Sequence, residues 1–217
     1  MERVVGVDLL TNVGRRPWTV TTAAAMTGRV HAELNRVKAP VTLPDLREWI
    51  RGRLTRSDLV PPDAKDIALR GLESLPDGES LCHGDFHPGN ILIAASGPVV
   101  IDWVNATRGD FRSDFARTSL MMRLGALPPG SPTLLVATHR LGRALFTRGY
   151  DRAYRRVNPV DNDLLDRWRL VRAIDRLVDN IDEERKPLLD FIERHARRVS
   201  LLDLVPSELG TAGDPQR

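Results

Sequence analysis

The hydrophobic pattern of this 217-residue chain is helical along most of its length and strand-like in one stretch, which limits the folds that it can adopt. Residues such as Met26, Val30 and Leu34 recur at the spacing of one helix face. Residues 91–95 (ILIAA) and 99–103 (VVIDW) instead have the pattern of two strands joined by a Ser-Gly-Pro turn. The pattern predicts an α+β fold that is predominantly α-helical, with one small β-hairpin near the middle.

The helical segments are bounded by prolines, glycines and capping residues. Gly6, Gly14 and Pro17 interrupt any regular pattern over residues 1–18, and the polar stretch 205–217 has little to bury, so we expect a flexible tail there. The predicted helices cover residues 21–37, 43–54, 62–75, 112–124, 132–148, 161–184 and 187–203.

Charge and composition favour a globular protein without nucleic-acid or membrane partners. The 32 basic residues are interspersed with 29 acidic ones, so the net charge of +3 indicates an ion-paired surface. No apolar run approaches the roughly 18 residues that a membrane span needs. Glu2 and Arg3 stand where a signal peptide would have its basic start and apolar stretch, and Cys82 is the only cysteine, so we predict a cytoplasmic protein. The sequence does not indicate an oligomeric state.

The strongest chemical pattern is His83-x-Asp85-x4-Asn90, followed by the hairpin that ends near Asp102. A carboxylate that accepts the proton of an attacking hydroxyl, with an amide oxygen and a second carboxylate that hold Mg²⁺, is what phosphoryl transfer requires. Protein kinases have the same residue order and spacing. Because a hairpin would fold Asp102 back beside Asn90, we expect these two residues to share one metal ion.

Two other interpretations of this stretch stay open at this point. Isolated Asp and Asn residues in a turn are often only capping or turn residues. The letters GDFH and GN also resemble parts of the metal site of a two-metal phosphoesterase, which would need further His and Asp ligands on separate strands. Ile91 follows Asn90 where that site would have a histidine, which makes a metallophosphoesterase the minor alternative.

The segments LCHGDFHPGNILI and VVIDWVNATRGDFRSDFA together resemble the aminoglycoside phosphotransferase and choline kinase-like family of small-molecule kinases. The resemblance implies a protein kinase-like fold, ATP or GTP as phosphate donor and Mg²⁺ as cofactor. It makes Asp85 the catalytic base and Asn90 and Asp102 the magnesium ligands. His83 would shape the catalytic loop, and Asp114 would brace it. Phe111 stands where the family usually has proline, and we expect a changed turn there with unchanged chemistry.

The resemblance also suggests how the chain is divided. MERVVGVDLL is similar to the family's hinge, where backbone near Glu2, Arg3 and Val4 would touch the nucleotide base. We therefore expect a hinge-like segment at 1–18 and a helical C-terminal lobe at 19–204, followed by the tail. The catalytic loop at 81–90 and the metal hairpin at 91–103 would lie within that lobe.

We expect this chain to lack the N-terminal lobe that such an enzyme uses to hold phosphates. The sequence has no glycine-rich phosphate loop and no lysine before Lys38. Three explanations stay open: a misassigned start, a true truncation without activity, and a lobe supplied by another chain or replaced as the domain became a binding module. We expect weak nucleotide binding and little turnover from this chain, and an inactive remnant or binding module is the alternative function.

The resemblance implies that the acceptor is a small molecule with a hydroxyl group, and one predicted helix suggests that this molecule is cationic. Asp175, Asp179 and Asp182 follow one another at i, i+4 and i+7 in the predicted helix 161–184, a row that could hold an amino sugar or a quaternary amine. These carboxylates could equally pair with Arg172 and Arg176 on a solvated surface. The identity of the acceptor does not follow from the sequence.

Overall fold

The structure is a computed structural model that describes residues 4–124 and 133–203. Within these residues the chain forms eight α-helices and five short strands, so the prediction of a predominantly helical α+β fold is confirmed. The helices are α1 (Leu9–Arg15), α2 (Val20–Asn35), α3 (Leu46–Arg56), α4 (Pro62–Ser74), α5 (Phe111–Leu124), α6 (Thr133–Val157), α7 (Asn162–Arg176) and α8 (Asp182–Asp203). The strands are β1 (Val7–Asp8), β2 (Ser80–Cys82), β3 (Ile91–Ala94), β4 (Gly97–Val100) and β5 (Thr107–Gly109).

The strands form two small antiparallel sheets. The predicted hairpin is present as β3 and β4, and β1 adds to its other side with Val7 opposite Ile93. The second sheet pairs β2 with β5, so Cys82 lies opposite Thr107. The second hairpin strand is shorter than predicted, because it ends at Val100 and the chain turns before Asp102.

Two hydrophobic clusters support this arrangement. The larger one lies between the helices and includes the fully buried Trp168, Ile50 and Phe115. The smaller one lies against the three-stranded sheet and contains Phe86 and Ile91. Because burial of a phenylalanine side chain is worth about 2–3 kcal/mol, Phe86 fastens the middle of the 81–90 segment to the core.

Helix α1 lies in the stretch where the sequence analysis predicted no regular structure. Its N-cap is Asp8, whose side chain accepts a hydrogen bond from the amide of Thr11 at 2.8 Å. Leu9 then turns one face into the smaller cluster. The signal in the sequence is therefore the capping aspartate before two leucines, and Gly14 near the end of a short helix obscured it.

Helix α6 continues past the predicted end at residue 148, because Gly149 serves close packing and not termination. A Cβ atom at Gly149 would lie 2.9 Å from the Cβ of Ala24 in α2. A Cβ at Gly28 of α2 would lie 2.4 Å from the carbonyl oxygen of Tyr150. The two glycines let α2 and α6 approach more closely than larger residues allow.

The predicted helix 161–184 is wrong, because it is divided into α7 and α8. Asn180 has a φ of 53°, in the left-handed region that asparagine tolerates better than most residues, and the chain changes direction there. The next helix begins at Asp182 and contains Pro187. Proline has no N–H, so Pro187 makes no hydrogen bond to the carbonyl of Glu183, four residues earlier in the helix. Glu183 is exposed, and water can bind in place of the missing donor.

Some predictions fall on residues that the structure does not describe. These are the flexible tail 205–217, the start of the helix at residue 132, and Glu2 and Arg3 of the hinge-like segment. In the described part of the chain, no helix combines the length and the apolar character needed to cross a membrane.

Candidate active site

The segment 81–90 is held at both ends by strands and turns back on itself at Pro88–Asn90, a 3₁₀ turn. Strand β2 precedes it and β3 follows it, and the amide of Asn90 donates to the carbonyl of His87 at 2.9 Å. The carbonyl of Asn90 then accepts from the amide of Ile101 at 3.0 Å. This bond extends the hairpin pairing by one step and brings Asp102, the next residue, to the side of the loop.

His83 connects the two halves of the site. Its Nδ1 accepts from the amide of Asp85 at 3.2 Å, and its Nε2 lies 2.9 Å from the carbonyl oxygen of Ile101. A carbonyl can only accept and an amide can only donate, so the ring carries its proton on Nε2. The buried imidazole therefore fixes Asp85 relative to the residue before Asp102.

Asn90 is nearly buried, and its side chain is oriented by the loop itself. Its Nδ2 donates to the backbone carbonyl of Asp85 at 3.0 Å. The amide nitrogen is thereby used, and Oδ1 is the atom that can serve a ligand. An oxygen atom in this position suits a hard divalent cation.

Asp102 is exposed and has an unusual backbone conformation. Its φ of 64° lies in the left-handed region, which costs a residue other than glycine about 1 kcal/mol or more. Such conformations persist where the surrounding structure enforces them, often at functional sites. The backbone before Asp102 is held by two hydrogen bonds of Ile101: its amide donates to the carbonyl of Asn90, and its carbonyl accepts from Nε2 of His83.

The side-chain oxygens of Asn90 and Asp102 are of the hard kind that suits Mg²⁺, an ion that takes few protein ligands and completes its shell with phosphate oxygens and water. The side chain of Asp85 is 29% exposed, and its Oδ2 lies 3.9 Å from Nε2 of His87. The described residues contain no group of three or more His, Cys, Asp and Glu side chains that could hold a metal ion. The larger ligand set of a two-metal phosphoesterase is thus not assembled in that part of the chain.

Asp114 lies beneath the loop and accepts hydrogen bonds from its backbone. The amide of His83 donates to Oδ2 at 2.7 Å, and the amide of Gly84 donates to Oδ1 at 2.9 Å. These are the contacts that a bracing residue requires. Asp114 lies in the first turn of α5. Asp110 caps this turn, because its side chain accepts a hydrogen bond from the amide of Arg112 at 2.9 Å. Phe111 occupies the first helical position, and this cap keeps the helix start regular without the proline.

His31 and Asn35 of α2 complete the surroundings of Asp114, and the sequence analysis assigned them no role. His31 Nε2 lies 2.9 Å from Oδ2 of Asp114, and Asn35 donates to the same oxygen at 3.1 Å. Burial alone would raise the pKa of Asp114, but the charge of His31 and these hydrogen bonds hold that pKa well below its usual value. Their spacing on α2, four residues apart on a buried face, is the signal that could have identified them.

His87 and Cys82 have structural positions. Nδ1 of His87 accepts from the amide of Gly89 at 3.1 Å and so caps the 3₁₀ turn. Burial lowers the pKa of His87, and the charge of nearby Asp85 opposes that shift. Cys82 is fully buried, and burial raises the pKa of its thiol well above the usual value, so it stays a neutral packing residue.

The acidic row of the predicted helix 161–184 is not a continuous surface. Asp175 is fully buried and pairs with arginines on three helices, and Asp179 pairs with Arg53, Arg117 and Arg176. Asp182 is exposed and begins α8, beyond the break at Asn180. The row therefore divides into two carboxylates inside an ion-pair network and one on the surface. The arginines that pair with Asp175 are Arg53, Arg117 and Arg172.

Comparison with known proteins relates this chain to a family and to solved structures. Residues 1–154 match the model of the phosphotransferase enzyme family. An amicoumacin kinase in complex with AMP-PNP, Ca²⁺ and Ami has a similar structure, with a TM-score of 0.54, 16% identity, and coverage of 93% of this chain and 64% of that one. A glucosamine kinase has a TM-score of 0.52 and 20% identity, with coverage of 94% and 60%. No curated protein matches the sequence. The chain spans less than two thirds of these two structures, and the likeness confirms a kinase-like fold.

Proposed function

Because the chain belongs to the phosphotransferase enzyme family, we propose that it transfers the γ-phosphate of ATP or GTP to a hydroxyl group of a small-molecule acceptor. Family and fold together indicate a small-molecule kinase. The donor, the metal and the acceptor are part of the proposal. The observation that carries it is the bonded unit in which His83 ties the amide of Asp85 to the carbonyl of Ile101, next to Asp102.

Asp85 is the catalytic base in this proposal. The acceptor oxygen attacks the γ-phosphorus, the bond from that phosphorus to the β–γ bridging oxygen breaks, and the nucleoside diphosphate leaves with the electron pair. The proton of the acceptor hydroxyl passes to the Asp85 carboxylate, whose side chain is about a third exposed. The loop contributes by holding this carboxylate in place before the acceptor arrives.

Asn90 and Asp102 would hold Mg²⁺ through Oδ1 and the carboxylate. When bound, the ion neutralises the charge of the phosphate oxygens. Asn90 has its amide nitrogen committed to the backbone of Asp85, so its oxygen is presented without a reorientation step. Asp102 brings a full negative charge on an exposed side chain. The amicoumacin kinase structure contains AMP-PNP and Ca²⁺, which supports an adenine nucleotide and a divalent cation as partners of the site.

The proposed function also implies a division of the chain into a lobe and a hinge. Residues 19–204 form the lobe that carries the loop and the hairpin, and residues 1–18 contribute the nucleotide-binding hinge. Among Glu2, Arg3 and Val4, whose backbone would touch the nucleotide base, Val4 is the one that the structure describes, and it lies just before β1. Glu2 and Arg3 belong to the same proposal.

We also propose that the acceptor is cationic, although the structure leaves fewer carboxylates free to bind it than the sequence predicted. Asp182 is the member of the acidic row that is exposed, while the Asp179 side chain is 18% exposed and already paired. Asp175 is closed to any acceptor in this structure, since it is fully buried. An amine would therefore meet Asp182 at the start of α8.

The experiment is a calorimetric titration of the 217-residue chain with ATP and with GTP, in the presence and absence of Mg²⁺. Asp102→Ala should weaken the Mg²⁺-dependent binding by about tenfold or more, because a metal ligand is lost. Asp85→Asn should leave nucleotide binding intact and slow transfer to an acceptor by about a hundredfold or more, because the base is lost. Asp63→Ala, at an exposed position in the first turn of α4, is the matched control and should change neither.

Two outcomes would contradict the proposal. Binding that is equal with and without Mg²⁺, or equal in wild type and Asp102→Ala, would exclude the metal site. Nucleotide binding that is normal and Mg²⁺-dependent, without transfer to amino sugars, choline or other small alcohols, would favour the non-catalytic binding module.

A further inference from the structure

Arg117 is a buried arginine in contact with the loop, and the proposed mechanism gives it no task. It is 4% exposed and lies on α5, three residues after Asp114. Its Nε donates to the carbonyl oxygen of Gly84. That carbonyl belongs to the peptide unit that joins Gly84 to Asp85, so the guanidinium acts on the backbone immediately before the proposed base.

The Gly84–Asp85 peptide unit is held at both of its polar atoms. Arg117 binds its oxygen, and Nδ1 of His83 accepts from its N–H at 3.2 Å. A peptide unit is planar, so the two bonds together fix the rotation of the plane and with it the direction in which the Asp85 side chain leaves the backbone. Neither bond alone would prevent rotation about the remaining axis.

The backbone of Gly84 is restrained as well, so it cannot easily rotate the Gly84–Asp85 peptide plane. Its φ is 79°, and a Cβ atom there would lie 2.3 Å from the carbonyl oxygen of Asn105. Its amide donates to Asp114 at 2.9 Å. Two residues of α5 therefore bind Gly84: Asp114 accepts from its N–H, and Arg117 donates to its carbonyl.

The far end of Arg117 is itself held by two carboxylates. Nη2 lies 3.0 Å from Oδ2 of Asp179, and Nη1 lies 3.4 Å from Oδ2 of Asp175. Arg53 contacts the same two carboxylates from α3 but is not in contact with the loop through any described hydrogen bond or ion pair. Arginine can serve three oxygens in this way because its donors spread across a rigid plane, and lysine cannot.

We infer that Arg117 is a positioning residue for Asp85, and that Asp175 and Asp179 act in the reaction by holding Arg117 and not by binding the acceptor. The inference rests on the proposed function, since it assigns a task in phosphoryl transfer. It gives the two interior carboxylates of the acidic row a role that their burial permits. A neutral donor could satisfy the carbonyl of Gly84 alone. An arginine is needed at this position because it also binds Asp175 and Asp179.

The kinetic test compares Arg117→Lys and Arg117→Met with Arg53→Met, the matched control that loses a partner of the same carboxylates. Both Arg117 variants should lower kcat by about tenfold to a hundredfold and leave the KM for the nucleotide nearly unchanged, as expected when an aligned group is misplaced. Arg53→Met should keep kcat within about twofold. Equal losses in Arg117→Met and Arg53→Met would assign the effect to the ion-pair network in general.

A double-mutant cycle separates positioning from general stability. In an Asp85→Asn background, Arg117→Met should cause almost no further loss of residual kcat, because there is no base left to position. If the two losses multiply instead, Arg117 acts independently of Asp85 and the inference is wrong.

Hydrogen exchange tests the geometry without depending on activity. In Arg117→Met the amides of Gly84 and Asp85 should exchange faster, while those in the middle of α7 remain as in wild type. Unchanged exchange in the 81–90 segment would overturn the inference. If the wild-type chain transfers no phosphate but this exchange result is obtained, the proposed function fails while the restraint on the loop stands.

Discussion

At the scale of single residues, Asp114 has the most concentrated set of contacts in the described part of the site. It accepts from two backbone amides of the loop and from two side chains of α2 while remaining fully buried. A buried carboxylate is stable only when its lone pairs are satisfied in this way. The loop and the helix therefore depend on the ionised form of one side chain.

This dependence predicts how stability changes with pH. Because His31 and the hydrogen bonds hold the pKa of Asp114 below its usual value of 3.8, the unfolded chain takes up a proton before the folded one as the pH falls. The stabilisation is thus complete above pH 4 or so and is lost progressively below it. Asp114→Asn should lower the free energy of unfolding by about 3 kcal/mol at neutral pH, and the difference from wild type should shrink in acid.

Urea unfolding followed by circular dichroism from neutral pH to about pH 3 measures this difference. Asp63→Asn, with an exposed side chain, is the control and should stay within about 0.5 kcal/mol of wild type throughout. A gap between Asp114→Asn and wild type that stays constant down to the lowest pH would show that the charge of Asp114 is not what stabilises the loop.

The same residue shows how far the sequence predicts the site. Asp85, Asn90, Asp102 and Asp114 could be selected because they lie in one motif of about thirty residues, with the hairpin between them. His31 contacts Asp114 across 83 positions of the chain. Arg117 directly follows the motif, which ends at Ala116, and its contact with Gly84 requires the turn of α5 to be known. No spacing rule relates such partners, because the tertiary fold alone brings them together.

At the scale of elements, the packing of α2 against α6 is set by glycines on each helix. A Cβ atom at Gly28 would lie 2.4 Å from a backbone oxygen and 2.9 Å from the Cβ of Ala153. Backbone atoms in a helix cannot shift as a side chain can, so the two helices would have to separate. The sequence pattern places Gly28 inside a predicted helix without a reason for a glycine there, and the reason became visible only with the partner helix in place.

Gly28→Ala should therefore lower the free energy of unfolding by about 1–3 kcal/mol, although alanine is the better helix former. Gly142 of α6 is the matched control, because a Cβ there meets nothing within 4 Å. Gly142→Ala should raise the free energy of unfolding by about 0.5–1 kcal/mol. The measurement is urea unfolding of both variants, and a Gly28→Ala protein as stable as wild type would show that the helices are not in contact at this point.

Helix ends were harder to predict than helix centres for a related reason. Asn180 ends the 3₁₀ turn Leu177–Asp179 that follows α7, and it has the left-handed conformation that asparagine tolerates better than most residues. The apolar periodicity nevertheless continues to Ile181. Periodicity reports which face is buried and says little about where the axis bends. The acidic row appeared continuous in the sequence because the bend at Asn180 was not foreseen.

At the scale of the whole molecule, the site lies where two hydrophobic clusters of unequal size meet. Phe86 of the loop packs in the smaller cluster with Leu9 and Ile91, and α5 and α7 belong to the larger one. The smaller cluster has few fully buried side chains and is covered by short strands. Local stability follows the number of buried contacts, so the two regions should open independently.

Native-state hydrogen exchange should show this order. Amides of β3 and β4 should exchange well before those in the middle of α7, whose Trp168 is fully buried. Phe86→Leu should accelerate exchange in β3 and leave α7 unchanged, since only the smaller cluster loses packing. Exchange that is equally slow in β3 and α7 would indicate one cooperative unit across both clusters.

The positions of the tryptophans provide optical signals for these two regions. Trp103 is 40% exposed, its ring centroid lies 4.9 Å from that of His83, and it directly follows Asp102. Trp168 is fully buried and donates from Nε1 to Asp110 at 2.8 Å. A change at the loop thus alters the environment of one indole, and loss of the helical core alters that of the other. Trp18 and Trp49 emit as well, so the signal of Trp103 is the difference between the emission of wild type and that of a Trp103→Phe variant. This difference reports occupation of the site without any label.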